Sequence, residues 1–127
     1  IACINGNAYA GGAILAAAAD FRLMREDRGR FCFPEVNIPL PFTPVTRSIV
    51  SLLPNKQALK NMLLTGIAYT GLEAKALDIV DSIHPADELQ ISAFKLGKLL
   101  ATKDRAIYTS IRNDMRPQIQ TLLNELK

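Results

Sequence analysis

Ile4-Asn5-Gly6-Asn7-Ala8-Tyr9-Ala10-Gly11-Gly12 runs without interruption into Ala13-Ile14-Leu15-Ala16-Ala17-Ala18-Ala19-Asp20, and this join is the most informative feature of the sequence. Ile1 to Ile4 is a short apolar run closed by Asn5-Gly6, the pattern of a buried strand meeting a turn. From Gly11 to Ala19 the residues are apolar on every side and rich in the strongest helix former, which predicts a helix buried all round. Other parts of the protein must then cover that helix on several faces.

Outward from this join, Phe21 to Arg25 and Arg30 to Phe33 read as two short strands separated by the charged turn Glu26-Asp27-Arg28-Gly29, with Pro34 stopping the second. Pro39 and Pro41 hold the loop Asn37 to Phe42 extended and unpaired. Thr43-Pro44 then opens a helix as N-cap and first-turn proline. Asn55 caps Lys56 to Leu64, and Thr70-Gly71-Leu72-Glu73 matches a capping box opening a helix over Ala74 to Leu77. Ile79 to Ile83 is the last expected strand. Leu89, Phe94, Leu96, Leu99 and Leu100 lie at helical spacing, and a further helical stretch runs from about Arg105 to the C-terminus with a break near Pro117. Four short strands leave sheet edges unpaired, so further strands are expected upstream of Ile1.

The composition narrows the function. The chain has 127 residues, 49% of them hydrophobic, enough for one domain with a core. Fifteen Lys and Arg stand against twelve Asp and Glu, and the basic residues are scattered singly, without the one-sided stripe that nucleic-acid binding needs. Cys3 and Cys32 are too few for a disulfide framework and, with His84, make no metal-ligand spacing, so reduced, buried thiols are expected. The Ala-rich run is broken by Gly11-Gly12 and ends at Asp20, too short to span a membrane. The chain opens on Ile1-Ala2-Cys3-Ile4 without charged leader or initiator Met, which suggests a piece beginning inside a longer intracellular protein.

Two constellations carry chemistry. At the start of the Ala-rich helix, backbone N–H groups without intrahelical acceptors sit at the positive end of the helix dipole and suit an oxygen that gains negative charge. From a lone Gly-Gly pair the favoured reading is that Gly11 and Gly12 serve only close helix packing. In Phe31-Cys32-Phe33-Pro34-Glu35, a carboxylate follows an aromatic, apolar strand; partly removed from water, such a group is a usable base and then acid. Taken alone, a glutamate in the position of Glu35 is more often a solvated residue at a strand end. His84 precedes Pro85 in an expected surface turn, with no nucleophile beside it in sequence.

Together these segments resemble the enoyl-CoA hydratase/isomerase family, the crotonase superfamily, nearly end to end: Ile4 to Gly12, Asp20 after the helix, Phe33-Pro34-Glu35-Val36, Leu64-Thr65-Gly66, and Glu73-Ala74-Lys75-Ala76 through Ile79-Val80-Asp81. The resemblance implies an α/β fold, the C-terminal half of a ββα spiral, with residues 1–85 in the spiral and 86–127 forming a helical trimerisation region in a homotrimer or hexamer. It implies an acyl-CoA thioester as substrate, no separate cofactor, and an oxyanion hole in which Gly11 supplies one N–H while the other comes from an upstream segment. This chain alone is therefore expected to be inactive. Hydratases of this type carry glutamates three residues past the oxyanion glycine and at the position of Glu35. Here the first position is Ile14, which cannot handle water. One carboxylate suffices for isomerisation, and the turn Leu23 to Gly29 with Glu35-Val36 looks like the peroxisomal-type Δ3,Δ2-enoyl-CoA isomerases. Hydratase and non-catalytic acyl-CoA-binding module are the alternatives. Tyr9 and Phe42 are candidates for the acyl channel. A cytoplasmic or peroxisomal location is expected, although Lys127 ends the chain without a Ser-Lys-Leu-type signal.

Overall fold

The computed structural model describes residues 1–127. Its elements are β1 (Ala2–Ile4), β2 (Ala8–Tyr9), α1 (Gly11–Ala18), β3 (Arg22–Arg25), β4 (Arg30–Cys32), α2 (Pro44–Val50), α3 (Lys56–Thr65), β5 (Ala68–Thr70), α4 (Gly71–Ala76), β6 (Ser82–His84), α5 (Ala86–Ala101), α6 (Arg105–Asp114) and α7 (Pro117–Glu125). They build two three-stranded sheets, one ordered β1-β3-β6 and all parallel, the other ordered β2-β4-β5. In the second sheet β2 and β4 are parallel and β5 runs antiparallel to β4. The first two turns of the chain each give one strand to the first sheet, one to the second and then helix, the ββα unit of a spiral, and β6 followed by α5 opens a third.

Local chemistry fixes where the helices start. Thr43 accepts the N–H of Thr46, Asn55 that of Ala58 and Asp104 that of Ile107, while Thr70 and Glu73 form a reciprocal capping box; each such cap stabilises its helix by about 1 kcal/mol. The core gathers Phe31, Phe33, Met24, Val50, Leu53, Met62, Ile79 and Val80. The rings of Phe31 and Phe33 meet edge to face at 5.5 Å. Gly29 has φ +90° and lies against the Gly6 backbone, so the β1–β2 and β3–β4 turns interlock where no side chain fits. No helix is long and apolar enough to cross a membrane.

Several expectations need correction. The last strand begins at Ser82, because Ile79 and Val80 turn their side chains into the core while their N–H groups bond to the Ala74 carbonyl at the end of α4. Strands β2 and β5 escaped the sequence reading; two and three residues are too few to show a period of two. The Ala-rich helix buries only Ala13, Ala16 and Ala17, whereas Leu15 is 76% exposed. Cys32 is buried as expected, but Cys3 is exposed on β1. His84 is half-buried, its ring nitrogens 2.8 Å from the Ser82 hydroxyl and 3.2 Å from that of Ser92, which ties β6 to α5.

One carboxylate gathers several of the polar links between the C-terminal helices and the spiral. Asp20 accepts hydrogen bonds from the Tyr108 hydroxyl at 2.9 Å, Arg112 Nε at 2.6 Å and Arg116 Nη2 at 2.7 Å. Burial alone would raise the Asp20 pKa, but the hydrogen bonds from Arg112 and Tyr108 and the charges of Arg112 and Arg116 outweigh it and hold the carboxyl below its ordinary value. A depressed carboxylate contributes stability that is complete above the unfolded pKa of about 3.9 and disappears as pH falls through the folded value. Acidification below about pH 4 should therefore release α6 and α7 before the spiral core. Hydrogen-exchange protection of the α6 and α7 amides measured down the pH scale checks this, and Asp20→Asn should remove the acid step by weakening the dock at neutral pH.

Ala10 joins β2 to α1 at φ 48°, ψ −119°, a region suited to glycine. Such strain costs about 1–3 kcal/mol, and glycine returns about 0.4–1 kcal/mol of that through the entropy of the unfolded chain. Ala10→Gly should therefore stabilise the protein by about 1 kcal/mol, seen as a raised denaturation midpoint at unchanged slope.

Candidate active site

Two parallel strands bring the candidate groups to one end of a sheet. In the β2–β4 pair Ala8 lies opposite Phe31 and Tyr9 opposite Cys32. One bond beyond the ladder, Ala10 N–H donates to the Cys32 carbonyl at 3.1 Å. Gly11 follows β2 by two residues and Glu35 follows β4 by three, so both leave the carboxyl ends of adjacent parallel strands, where α/β proteins gather their ligand-binding groups.

Gly11 is the first residue of α1, and its N–H has no acceptor within the helix. Neither Gly11 nor Gly12 is demanded by packing: a Cβ at either position meets no atom within 4 Å. The close-packing explanation for this pair therefore finds no support within this chain. The strained torsion at Ala10 orients the Ala10–Gly11 peptide plane and hence the direction of the Gly11 N–H. An alanine within a run of small residues gives no local signal of this strain.

Glu35 is 5% exposed, and neither carboxylate oxygen has a hydrogen-bond partner. Its backbone is held by the turn after β4, where Asn37 N–H donates to the Pro34 carbonyl at 2.8 Å and Leu40 N–H to the Glu35 carbonyl at 3.1 Å. Buried polar groups are normally paired, so an orphaned carboxylate is a departure with a cause to be found. It lines an open, largely apolar surface depression of about 360 Å³ together with Val36, Pro39, Leu40, Pro41, Phe42 and Leu63. Phe42 packs edge-on against Phe33 at 6.4 Å. Leu63, from α3, carried no signal in the sequence. The neighbouring Cys32 thiol is pushed up by burial first and by the charge of Glu35 second, which keeps it protonated, and it contacts the Gly66 carbonyl at 3.2 Å.

The other candidates lie elsewhere. Tyr9 is 42% exposed on β2 and is not among the residues lining the Glu35 depression. Ile14, less than one turn along α1 from Gly11, is half-buried against the core and offers neither donor nor acceptor. A larger cavity of about 790 Å³ lies between β1 and α5, lined by Ile1, Cys3, Leu89 and Phe94 among others, and contains no carboxylate.

Comparison with known proteins agrees with this arrangement. The family model described as "Enoyl-CoA hydratase/isomerase" matches residues 1–126. The chain is 35% identical to "Enoyl-CoA delta isomerase 2, peroxisomal" of Arabidopsis thaliana, covering 97% of this chain and 53% of that protein. It is 36% identical to "Enoyl-CoA delta isomerase 3" of the same plant, over 94% and 52%, and 41% identical to a "Putative enoyl-CoA hydratase" of Thermus thermophilus, over 80% and 39%. The chain thus spans about half the length of the two plant relatives and less of the third. In structure it is similar to an enoyl-CoA hydratase of Mycobacterium ulcerans Agy99 with a TM-score of 0.86 at 17% identity, over 97% of this chain and 54% of that one. With a spiral fold, a helix-start N–H and a carboxylate gathered at one sheet end, and a family match over almost its whole length, the chain belongs to the enoyl-CoA hydratase/isomerase family.

Proposed function

We propose that the protein is an enoyl-CoA isomerase that converts a 3-enoyl-CoA to the 2-enoyl-CoA, with Glu35 as proton shuttle and the Gly11 N–H as one oxyanion donor. The observation that carries the reading is the buried Glu35 carboxylate, unpaired at a largely apolar surface depression beside the sheet end where α1 begins. Glu35 removes a proton from C2 of the thioester. The electron pair of that C–H bond moves through the carbonyl and the 3,4 double bond to give a dienolate, whose oxygen accepts from the Gly11 N–H and from a second donor supplied outside this chain. The acid form of Glu35 then returns the same proton to C4, leaving the double bond between C2 and C3 and the carboxylate regenerated. The proton balance closes within the site, and coenzyme A enters only as part of the substrate.

Hydration is the runner-up because a relative bears a hydratase name. It calls for a second group to orient water, and Ile14 stands where the family's other glutamate would be. A non-catalytic module accounts poorly for Glu35, because it gives no role to a buried carboxyl whose two oxygens lack a hydrogen-bond partner. The plant relatives with isomerase names, one of them named peroxisomal, support this activity and an intracellular, peroxisomal setting. Residues 86–127 are proposed to serve self-association as a trimer or hexamer, supported by the exposed apolar stripe Ile107, Ile111 and Met115 along α6.

Two substitutions test the roles in the complete protein. Glu35→Gln keeps size and loses basicity, so isomerase turnover should fall by about 10²–10⁴ with little change in acyl-CoA affinity. Isomerase and hydratase rates measured side by side decide the chemistry, and dominant hydration in the wild type would overturn the reading of Ile14. Gly11→Val sets a branched side chain beside the N–H and should lower kcat by about 10²–10³ at near-constant affinity. An unchanged kcat would remove Gly11 from the site.

A further inference from the structure

The helix that presents the Gly11 N–H has almost no capping chemistry of its own. Helix α1 is eight residues long, its N-cap Ala10 makes no side-chain hydrogen bond, its first turn holds no acid and its last turn no base. Two turns of helix are marginal without external support. That support comes at the carbonyl end from two guanidinium groups. Arg22, itself buried, sends Nη1 to the Ala19 carbonyl at 2.9 Å and, weakly, to that of Ala16 at 3.4 Å, while its Nε holds the Ile79 carbonyl at 2.8 Å. Arg116, 98 residues further along the chain from Ala18, places Nη1 on the Ala18 carbonyl at 2.9 Å and Nη2 on Asp20 at 2.7 Å.

Carbonyls at the end of a helix need partners, and cations there complement the macrodipole. Burial is the main cause that lowers the pKa of both guanidiniums; the charge of Arg116 adds to it at Arg22 and that of Arg112 at Arg116, while Asp81 and Asp20 oppose it at Arg22 and Asp20 and Tyr108 at Arg116. Gathering two arginines and burying one of them is costly. The arrangement nevertheless joins three distant parts of the chain: the 79–81 loop through Arg22, α1 itself, and the C-terminal helices through Arg116. Helix α7 also packs on α2, and α2 packs on α1.

We propose that Arg22 and Arg116 are positioning residues for the reaction, clamping the carbonyl end of α1 so that its first N–H is held on the thioester oxygen. The inference rests on the reading of Gly11 as an oxyanion donor. Arg116 is the clearer probe, because it comes from the C-terminal helices and is only partly buried. Placement errors of about 1 Å at a reacting group cost up to about a hundredfold in rate. A slackened but folded α1 should therefore show its effect in kcat more than in binding.

The test uses the complete protein with Arg116→Gln and Arg116→Lys. Turnover is measured alongside the infrared carbonyl stretch of bound octanoyl-CoA carrying an isotopic label in its thioester carbonyl. Wild type should shift that stretch to lower frequency than in free solution. Arg116→Gln should lose most of the shift and lower kcat about tenfold with KM little changed, and Arg116→Lys, which keeps the charge without the forked geometry, should recover part of both. A full carbonyl shift and normal kcat in Arg116→Gln would overturn the inference while leaving the Gly11 reading intact, even if thermal stability falls. Absence of any shift in wild type would overturn the Gly11 reading itself and the inference with it. If Arg116→Gln does not fold, Arg116→Lys decides alone, since a wild-type shift and kcat there would show the forked bond to be dispensable.

Discussion

The parallel pairing of β2 with β4 is the constraint on which the candidate site depends. Its register, Ala8 against Phe31 and Tyr9 against Cys32, is extended by the hydrogen bond from Ala10 to the Cys32 carbonyl. A slip of one residue would turn Phe31 and Phe33 out of the core and carry Glu35 to the opposite face. The buried aromatic rings therefore fix the position of the carboxylate indirectly: Phe31 and Phe33 are fully enclosed, and only one register permits it. The antiparallel strand β5 closes the other side of β4, so the strand that leads to Glu35 is central in its sheet and has no free edge along which to shift.

Around this firm strand, the residues that break local rules cluster. Ala10 adopts a torsion that glycine would take without strain, and Glu35 buries two oxygens with no partner. Each costs free energy of the order of a kilocalorie or more, a sizeable share of the net stability of a small domain. Natural proteins keep such violations where function requires them and compensate nearby. The compensation is visible in the interlocked rings of Phe31, Phe33 and Phe42 and in the caps of α2, α3 and α4, which hold the surroundings while the site itself stays unrelaxed.

Much of this was legible in the sequence, because side-chain caps and glycine or proline punctuation act over three or four residues. Thr43-Pro44, Asn55 and the Thr70 to Glu73 box all mark helix starts found in the structure. The Gly11 helix start and the placement of Glu35 after an aromatic strand could likewise be read locally. What could not be read depends on distant partners. The two-residue strand β2 exists only because β4 offers it a ladder, and Leu63 reaches the Glu35 depression only through the packing of α3. Asp20 looked like a helix stop, and nothing near it in sequence announced that residues 108, 112 and 116 would converge on it. Tyr108 and Arg112 share one face of α6, whereas Arg116 caps α7, so their convergence depends on the turn between the two helices.

The surface of α1 shows where the sequence asks for more contacts than this chain supplies. Its composition is that of a helix enclosed on all sides, yet Leu15 is 76% exposed, and the neighbouring edge of β1 leaves Ile1 at 46% and, across the cavity on α5, Phe94 at 65%. Strand β1 has a partner on one side only, in a parallel sheet, a type that is rarely stable with an uncovered edge and open faces. Covering those three side chains would contribute roughly 3–6 kcal/mol at about 1.5–3 kcal/mol for each full burial. That is comparable to the lower end of the net stability of a whole domain, about 5–15 kcal/mol. Whatever packs along β1, α1 and α5 is therefore a principal source of stability for the spiral, and because it would lie against the helix that starts at Gly11, it also bears on how firmly that N–H is held.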